Sequence, residues 1–318
     1  MIPIRTINLT RYYGDLCAVD SLTLEVGNEI FGLLGPNGSG KTTTVLMLTT
    51  LLRPTAGSAS ICGYDVVKDS ARVREQISYV PQDMAVDIKL TGRENVALFA
   101  KLYGIPHRND TIDEVMAIMD LSSRADDLVR TYSGGMRRRL ELAQALVHEP
   151  KVLFLDEPTI GLDVTARRKI WEHIRGLRRK GMTIFVTTHY MDEADHSCDR
   201  VAIIDRGEVV AVDSPAKLKS ILGRDIISAR ISGDITHVLP EGISFLGMED
   251  EEMVFSTENG SEKVPLLFRS LEEHGITVHS VSLREPTLDD VFIHMVKGKE
   301  EAAGFDDHKF RTMLRRRS

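Results

Sequence analysis

Several short runs in this chain carry side chains that could handle a phosphate. Gly35-Pro36-Asn37-Gly38-Ser39-Gly40-Lys41-Thr42-Thr43 contains a glycine, four variable residues and then Gly-Lys-Thr. Glycines let such a backbone curl until successive N–H groups point at phosphate oxygens, with the positive end of a following helix behind them. Lys41 would neutralise the outer phosphates, and the Thr42 hydroxyl would ligate Mg2+. Asp156 and Glu157 close the apolar run "VLFLDE". There Asp156 could hold Mg2+, directly or through water, while Glu157 takes the proton of an attacking water. Strand alternation would send the two carboxylates to opposite sides. His189 follows "MTIFVTT" and so falls at a strand end, where taken singly it reads equally as a loop residue, while Gln82 in "ISYVPQD" ends another short apolar strand and by itself says nothing. Tyr12 and Tyr13 sit beside Gly14, where one ring could stack on adenine or simply pack along a strand edge.

The elements that must position these residues are legible in the hydrophobic pattern. "IRTINLT", "SLTLEV" and "EIFGLLG" read as strands, the last apolar throughout and feeding the glycine loop, with "KTTTVLMLTTLL" as the helix beyond. Residues 87–148 lose strand character and carry apolar side chains at helical spacing, a helical insert. "KVLFLDE", a helix over "TARRKIWEHIRGLRRKG" and "MTIFVTTH" alternate as β-α-β, which requires a parallel sheet. "RVAIIDRGEVVAVD" reads as a hairpin turning at Arg206-Gly207. The pattern changes near Leu222-Gly223. Strands at "DIISARIS", around "FLGMEDEEMVFS" and at "TVHSVSL", a helix over "EKVPLLFRSLEEHG" and a last helix capped by Thr287 with Asp290 describe a small α+β domain over 223–298. The basic tail 299–318 lacks periodicity and is expected to be disordered and solvated, since Asp306 and Asp307 accompany its arginines.

Composition narrows the classes. The 318 residues carry a formal net charge of −7, which argues against broad attraction to nucleic acid, and no nucleic acid partner is expected. Cys17, Cys62 and Cys198 are too few and too scattered for a disulfide framework or a zinc site. The first residues lack an apolar signal core, and no apolar run approaches the roughly 20 residues that span a bilayer. A soluble chain is expected, one whose membrane role would come from a partner.

A second glycine-rich loop, the Ser-Gly-Gly turn of "TYSGGMRRRLELAQAL", completes an ordered set. Tyr13, "GPNGSGKTT", "YVPQD", "YSGGM", "VLFLDE", "GLD" and "TTH" stand in the order and approximate spacing of ATP-binding cassette ATPases, so residues 1–222 resemble that family. The resemblance implies an α/β P-loop cassette with a mixed sheet core, an antiparallel β subdomain and a helical subdomain. It also implies ATP and Mg2+ as ligands and a head-to-tail pairing of two cassettes, each ATP lying between the glycine loop of one and the Ser-Gly-Gly turn of the other. On that basis Ser133, Gly134 and Gly135 bind the γ-phosphate of the neighbour's ATP, Asp163 of "GLD" makes a cross-interface contact, His189 clamps the γ-phosphate, and Gln82 senses Mg2+ and water while touching the transport partner. The sequence departs from the usual signature at Tyr132 and Met136, where the family has Leu and Gln.

Finer resemblance points to the daunorubicin-resistance group of exporter ATPases, carried by "YSGGMRRRLELAQAL", "EPTIGLD" and "LREPTLDDVF". It implies an ATP-hydrolysing motor for export of drug-like or lipid-like molecules. The motor would sit peripherally on the cytoplasmic face of the cell membrane, with a second copy or a paralogous ATPase subunit and a separate polytopic permease. The competing reading is a soluble cassette ATPase with a regulatory or nucleic-acid-linked role and no membrane subunit. The helical insert beside Gln82 is the expected docking surface for the permease.

Overall fold

The computed structural model describes residues 2–106, 108–232, 239–249 and 252–296, so the tail 299–318 lies outside the described residues. The chain forms two compact units that divide between Val212 and Asp213. The division comes before the change of pattern at Leu222-Gly223. The intervening helix, capped by Ser214 and begun by Pro215, lies beside the second unit's long helix, and Ala216, Lys219 and Ser220 line one cleft with Asn259 and Glu262.

In the first unit, β1 (Ile4–Tyr13) and β2 (Leu16–Val26) pair antiparallel, and β3 (Ile30–Leu34) follows with every residue buried. Helix α1 (Lys41–Leu48) is shorter than its apolar run because Thr49 caps it and Thr50 takes a φ of +66°. Next come β4 (Ala56–Ile61), β5 (Tyr64–Asp65), α2 (Ser70–Gln76) and β6 (Ile77–Val80). The pattern did not reveal β4 or β5: "AGSASI" is made mostly of small residues, and β4 becomes a strand by pairing with β1 in the antiparallel sheet β2-β1-β4-β5.

The helical insert holds α3 (Gly92–Leu102), α4 (Arg108–Ile118) and α5 (Gly134–Leu146). A capping box sets the start of α3, with Thr91 accepting from Glu94 N and Glu94 accepting from Thr91 N. The chain returns to the sheet through β7 (Val152–Asp156), α6 (Val164–Arg179), β8 (Thr183–Thr188), α7 (Met191–Ser197) and the hairpin β9 (Arg200–Asp205) to β10 (Glu208–Asp213). The hairpin turns on Arg206 and Gly207, both at positive φ, as a two-residue turn demands.

The six-stranded sheet runs β10-β9-β3-β8-β7-β6, with β9, β3, β8, β7 and β6 parallel. Phe31, Phe185 and Phe154 form a ring layer across β3, β8 and β7, with neighbouring centroids 5.5 Å apart. Each is fully buried and contributes about 1.5–3 kcal/mol. A one-residue slip would turn any of these rings out of the layer, so the layer fixes the register of the strands. The same strands end in the glycine loop, in Asp156 and just before His189, so that register brings the three to one edge of the sheet.

The second unit contains α8 (Pro215–Ser220), β11 (Asp225–Ser232), β12 (Ile243–Glu249), β13 (Glu252–Thr257), α9 (Gly260–Glu273), β14 (Thr277–Arg284) and a helix α10 over 288–296. Its antiparallel sheet, β12-β13-β11-β14, packs Ile227, Ala229 and Phe255 against Leu267 and Leu271 of α9. The cap read at Thr287 forms: Thr287 N and Oγ1 donate to Asp290, and Asp290 N donates back to Thr287 Oγ1.

Candidate functional site

The glycine loop joins β3 to α1. Gly40 has a φ of +104°, and a Cβ there would lie 2.4 Å from the Ala18 carbonyl of β2, so only glycine lets the loop close against that strand. The N-terminus of α1 has no side-chain cap, which leaves its N–H groups directed at the loop. Lys41 is buried, and its Nζ donates to the carbonyls of Gly35 (2.7 Å) and Pro36 (3.1 Å), so the ammonium lies within the ring of the loop. Burial lowers the Lys41 pKa, and the nearby Glu157 carboxylate only partly opposes that. Ser39 Oγ is buried without a hydrogen-bond partner, a polar atom a phosphate oxygen would satisfy. Thr42 is exposed at the first turn of α1, with Thr43 half-buried beside it.

Asp156 is the last residue of β7 and is buried. Thr187 Oγ1 donates to its Oδ1, while its Oδ2 is buried with no hydrogen-bond partner. An acceptor-only oxygen orphaned in this way fits a divalent cation. Strand alternation is not what separates the two acids. The strand stops at Asp156, and Glu157 turns out of it with a φ of +47°, held by N–H donation to the Thr187 carbonyl and hydroxyl, both at 3.1 Å. This turn carries the Glu157 carboxylate to 3.6 Å from Lys41 Nζ and 2.9 Å from His189 Nδ1, the latter contact lacking hydrogen-bond geometry. Beside them, burial and the Asp156 carboxylate push the Tyr79 phenol up to about 12. Gln82 stands exposed just past β6, the strand paired with β7.

The Ser-Gly-Gly turn is built at a different place. Ser133 caps α5, its hydroxyl accepting from Met136 N at 3.3 Å. Asp163 caps α6 in the same manner, accepting from Ala166 N at 2.8 Å. The two helix starts abut: a Cβ on Gly135 would come within 2.8 Å of Ala166 Cβ, and one on Gly134 within 3.5 Å of Leu162. A Cβ on Gly134 or Gly135 would therefore meet the Asp163 turn and no atom of the glycine loop within 4 Å. Tyr132, the departure from Leu, is buried, donates to the Arg124 carbonyl at 2.6 Å and lies against Gly92, where any Cβ would meet its hydroxyl at 2.3 Å. The larger side chain fits because Gly92 has no side chain. Tyr13 is exposed near the end of β1 with the Arg11 guanidinium 4.8 Å from its ring centre.

Several contacts here escaped the sequence reading. Thr187 holds both Asp156 and the Glu157 backbone, and "TTH" hinted at it only through His189. Arg138 is one of three successive arginines that the sequence does not tell apart, and it is buried among the carbonyls of Pro81, Asp156 and Pro158. Arg167 bridges the Asp163 turn to the residue after His189: its Nε donates to the Leu162 carbonyl and its guanidinium lies 4.9 Å from the Tyr190 ring centre.

Comparison with known proteins bears on the family and the fold. A family model described as ABC transporter matches residues 19–160, and one described as the C-terminal domain of DrrA1-3-like ATP-binding proteins matches 214–296. The chain is 41% identical over 293 residues to the daunorubicin resistance ATP-binding protein DrrA3 of Streptomyces coeruleorubidus, covering 89% of this chain and 92% of that one. It is 38% identical over 306 residues to the Nod factor export ATP-binding protein I of Burkholderia lata, covering 94% and 98%. Among solved structures, cbiO1 from Clostridium perfringens, part of the ABC transporter complex cbiONQ, superposes with a TM-score of 0.65 at 26% identity, over 70% of this chain and 93% of that one. No helix among the described residues is long and apolar enough to cross a membrane. Relatives alike along nearly the whole chain, together with the two family models, show that the protein belongs to the ABC transporter family as an ATP-binding, ATP-hydrolysing subunit with a DrrA-type C-terminal domain.

Proposed function

We propose that this subunit drives export of drug-like or lipid-like molecules as a head-to-tail pair in which each copy completes the other's ATP site. The observation that carries the proposal is the separation of the two glycine turns. Lys41, Asp156, Glu157 and His189 meet at one edge of the parallel sheet, while Ser133–Gly135 abut the Asp163 turn at two adjoining helix N-termini. A helix N-terminus with an exposed serine suits a phosphate, and a second molecule can bring one there. The export reading rests on relatives named for daunorubicin resistance and Nod factor export.

In this mechanism the loop running from Gly35 and Pro36 through Asn37, Gly38, Ser39 and Gly40 to Thr43 cradles the phosphates with the amides of its non-proline residues, and Lys41 balances their charge. Tyr13 stacks on the adenine. Thr42, Asp156 and Gln82 would hold Mg2+, which supplies charge neutralisation at the phosphate oxygens. Glu157 accepts the proton of the attacking water, and His189, in contact with that carboxylate, holds the γ-phosphate side of the site. Ser133, Gly134 and Gly135 close over the γ-phosphate held by the other copy, and Asp163 contacts it across the interface. Hydrolysis removes the phosphate that both copies grip, so the pair separates and a membrane permease is pulled through its cycle. The permease docks on the helical insert beside Gln82, where Met84, Ile88, Leu98 and Leu102 are exposed. That arrangement puts the protein peripherally on the cytoplasmic face of the membrane.

Mixing Lys41→Ala chains with Ser133→Arg chains tests the shared site. Each variant alone has two broken sites, whereas a mixed pair keeps one intact site. Random pairing should therefore restore about a quarter of wild-type hydrolysis. No recovery after confirmed exchange of chains would reject the shared site.

A further inference from the structure

Helix α5 holds a buried ion pair with no part in the mechanism above. Arg138 and Glu141 stand one turn apart, 2% and 4% exposed, with Arg138 Nη1 2.9 Å from Glu141 Oε2. A buried pair of this kind is poor evidence of stability, because apolar residues of similar size often serve as well. What distinguishes this pair is its backbone partners. Arg138 Nε donates to the Pro158 carbonyl (3.0 Å), Nη2 to the Asp156 carbonyl (3.1 Å) and Nη1 to the Pro81 carbonyl (2.7 Å). Glu141 Oε1 accepts from the Ala85 amide at 2.6 Å.

These partners flank the two reacting segments. Asp156 and Pro158 bracket Glu157, whose positive φ a non-glycine residue keeps only where its surroundings impose it. Pro81 and Ala85 bracket Gln82 and Asp83. One planar guanidinium thus fixes the peptides on both sides of Glu157 and the start of the Gln82 loop, and its paired carboxylate fixes the loop farther on. Ser133 caps the same helix only five residues earlier, about 7.5 Å along its axis.

We infer that Arg138 and Glu141 are positioning residues that lock the Gln82 loop and the Glu157 turn to α5, so that a phosphate gripped at Ser133 and the proton acceptor at Glu157 move as one body. The inference rests on the roles proposed above for Ser133 and Glu157. The pair would act on turnover and leave nucleotide capture, which belongs to the glycine loop, unchanged.

The test is the double variant Arg138→Met/Glu141→Leu in the full chain, which removes the clamp but fills its volume. The melting temperature should fall by several degrees, because three carbonyls and the Ala85 amide lose their partners, but at a temperature where the variant is folded KM for ATP should stay close to wild type while kcat falls about 10- to 100-fold, the scale of a misplaced catalytic group. Independently of turnover, hydrogen exchange at the Ala85 amide should accelerate, because its acceptor is gone. A wild-type kcat, unchanged exchange at Ala85, or a loss of kcat matched by an equal loss of ATP affinity would each overturn the inference. Should the double variant not fold, Glu141→Gln keeps the shape and an acceptor for Ala85 but removes the charge facing Arg138. Several-fold lower kcat at unchanged KM is expected, and full activity overturns the clamp. Glu157→Gln assayed alongside separates the two ideas: wild-type hydrolysis in that variant refutes the role of Glu157 itself, whatever the clamp variants do.

Discussion

Replacing Glu157 with Gln removes a carboxylate that the fold has placed against two other groups, so two consequences are expected together. The first is catalytic. A positioned general base contributes about 10²- to 10⁴-fold, which is about 2.7–5.5 kcal/mol of barrier, so kcat should fall by that factor while ATP still binds at pH 7. The second is electrostatic. At 3.6 Å and an effective dielectric near 20, Glu157 attracts the Lys41 ammonium by about 4–5 kcal/mol, yet burial still holds Lys41 below its ordinary pKa of 10.5. Without the carboxylate, burial acts with less opposition and the lysine pKa drops further. Lysine loses its charge as pH rises through its pKa, so the alkaline loss of ATP affinity should begin at a lower pH in the variant. Steady-state hydrolysis, with binding of a fluorescent ATP analogue from pH 7 to 10, reads both effects. Hydrolysis within a few-fold of wild type would refute the assignment of the base. An unmoved alkaline limb would refute the coupling between Glu157 and Lys41.

Burial lowers the pKa of His148 and of His173 below the ordinary 6.5. The unfolded state then binds more protons between the folded value and 6.5, so stability should fall as pH drops below about 6.5. His148→Phe, which keeps a ring on Tyr103, should flatten the pH dependence of the melting temperature; an unchanged slope would exclude His148 as a contributor. Asp290→Ala strips partners from Arg284 and from the Thr287 cap, and should cost about 2–3 kcal/mol in chemical denaturation of the second unit while ATP affinity of the first unit stays the same. Tyr132→Leu, which restores the residue usual in the family, should destabilise the protein by about 1–3 kcal/mol, because it opens space over Gly92 and leaves the Arg124 carbonyl without its donor. A gain in melting temperature would contradict that packing.

Much was decided by sequence alone. A glycine loop between a wholly apolar strand and a helix, an apolar strand ending in Asp156-Glu157, and the capped helix at Thr287 are local patterns whose physics acts within a few residues, and each appears where the residues dictate. The strand β4 was not legible, since its small side chains have no periodic apolar face and it exists through pairing with β1, and β5 is a two-residue strand that exists through pairing with β4. Nor could strand alternation give the position of Glu157, whose carboxylate reaches Lys41 and His189 only because the backbone leaves β7 at a positive φ held by Thr187 from another strand. Ser133 and Asp163 are far apart in the chain, and only the abutment of α5 and α6 brings their turns together. Arg138, one of three successive arginines, became a buried clamp for the same reason. Side-chain type fixes what a residue can bond, but which carbonyl it meets depends on strands and helices brought together from distant parts of the chain, and that is settled only by tertiary packing.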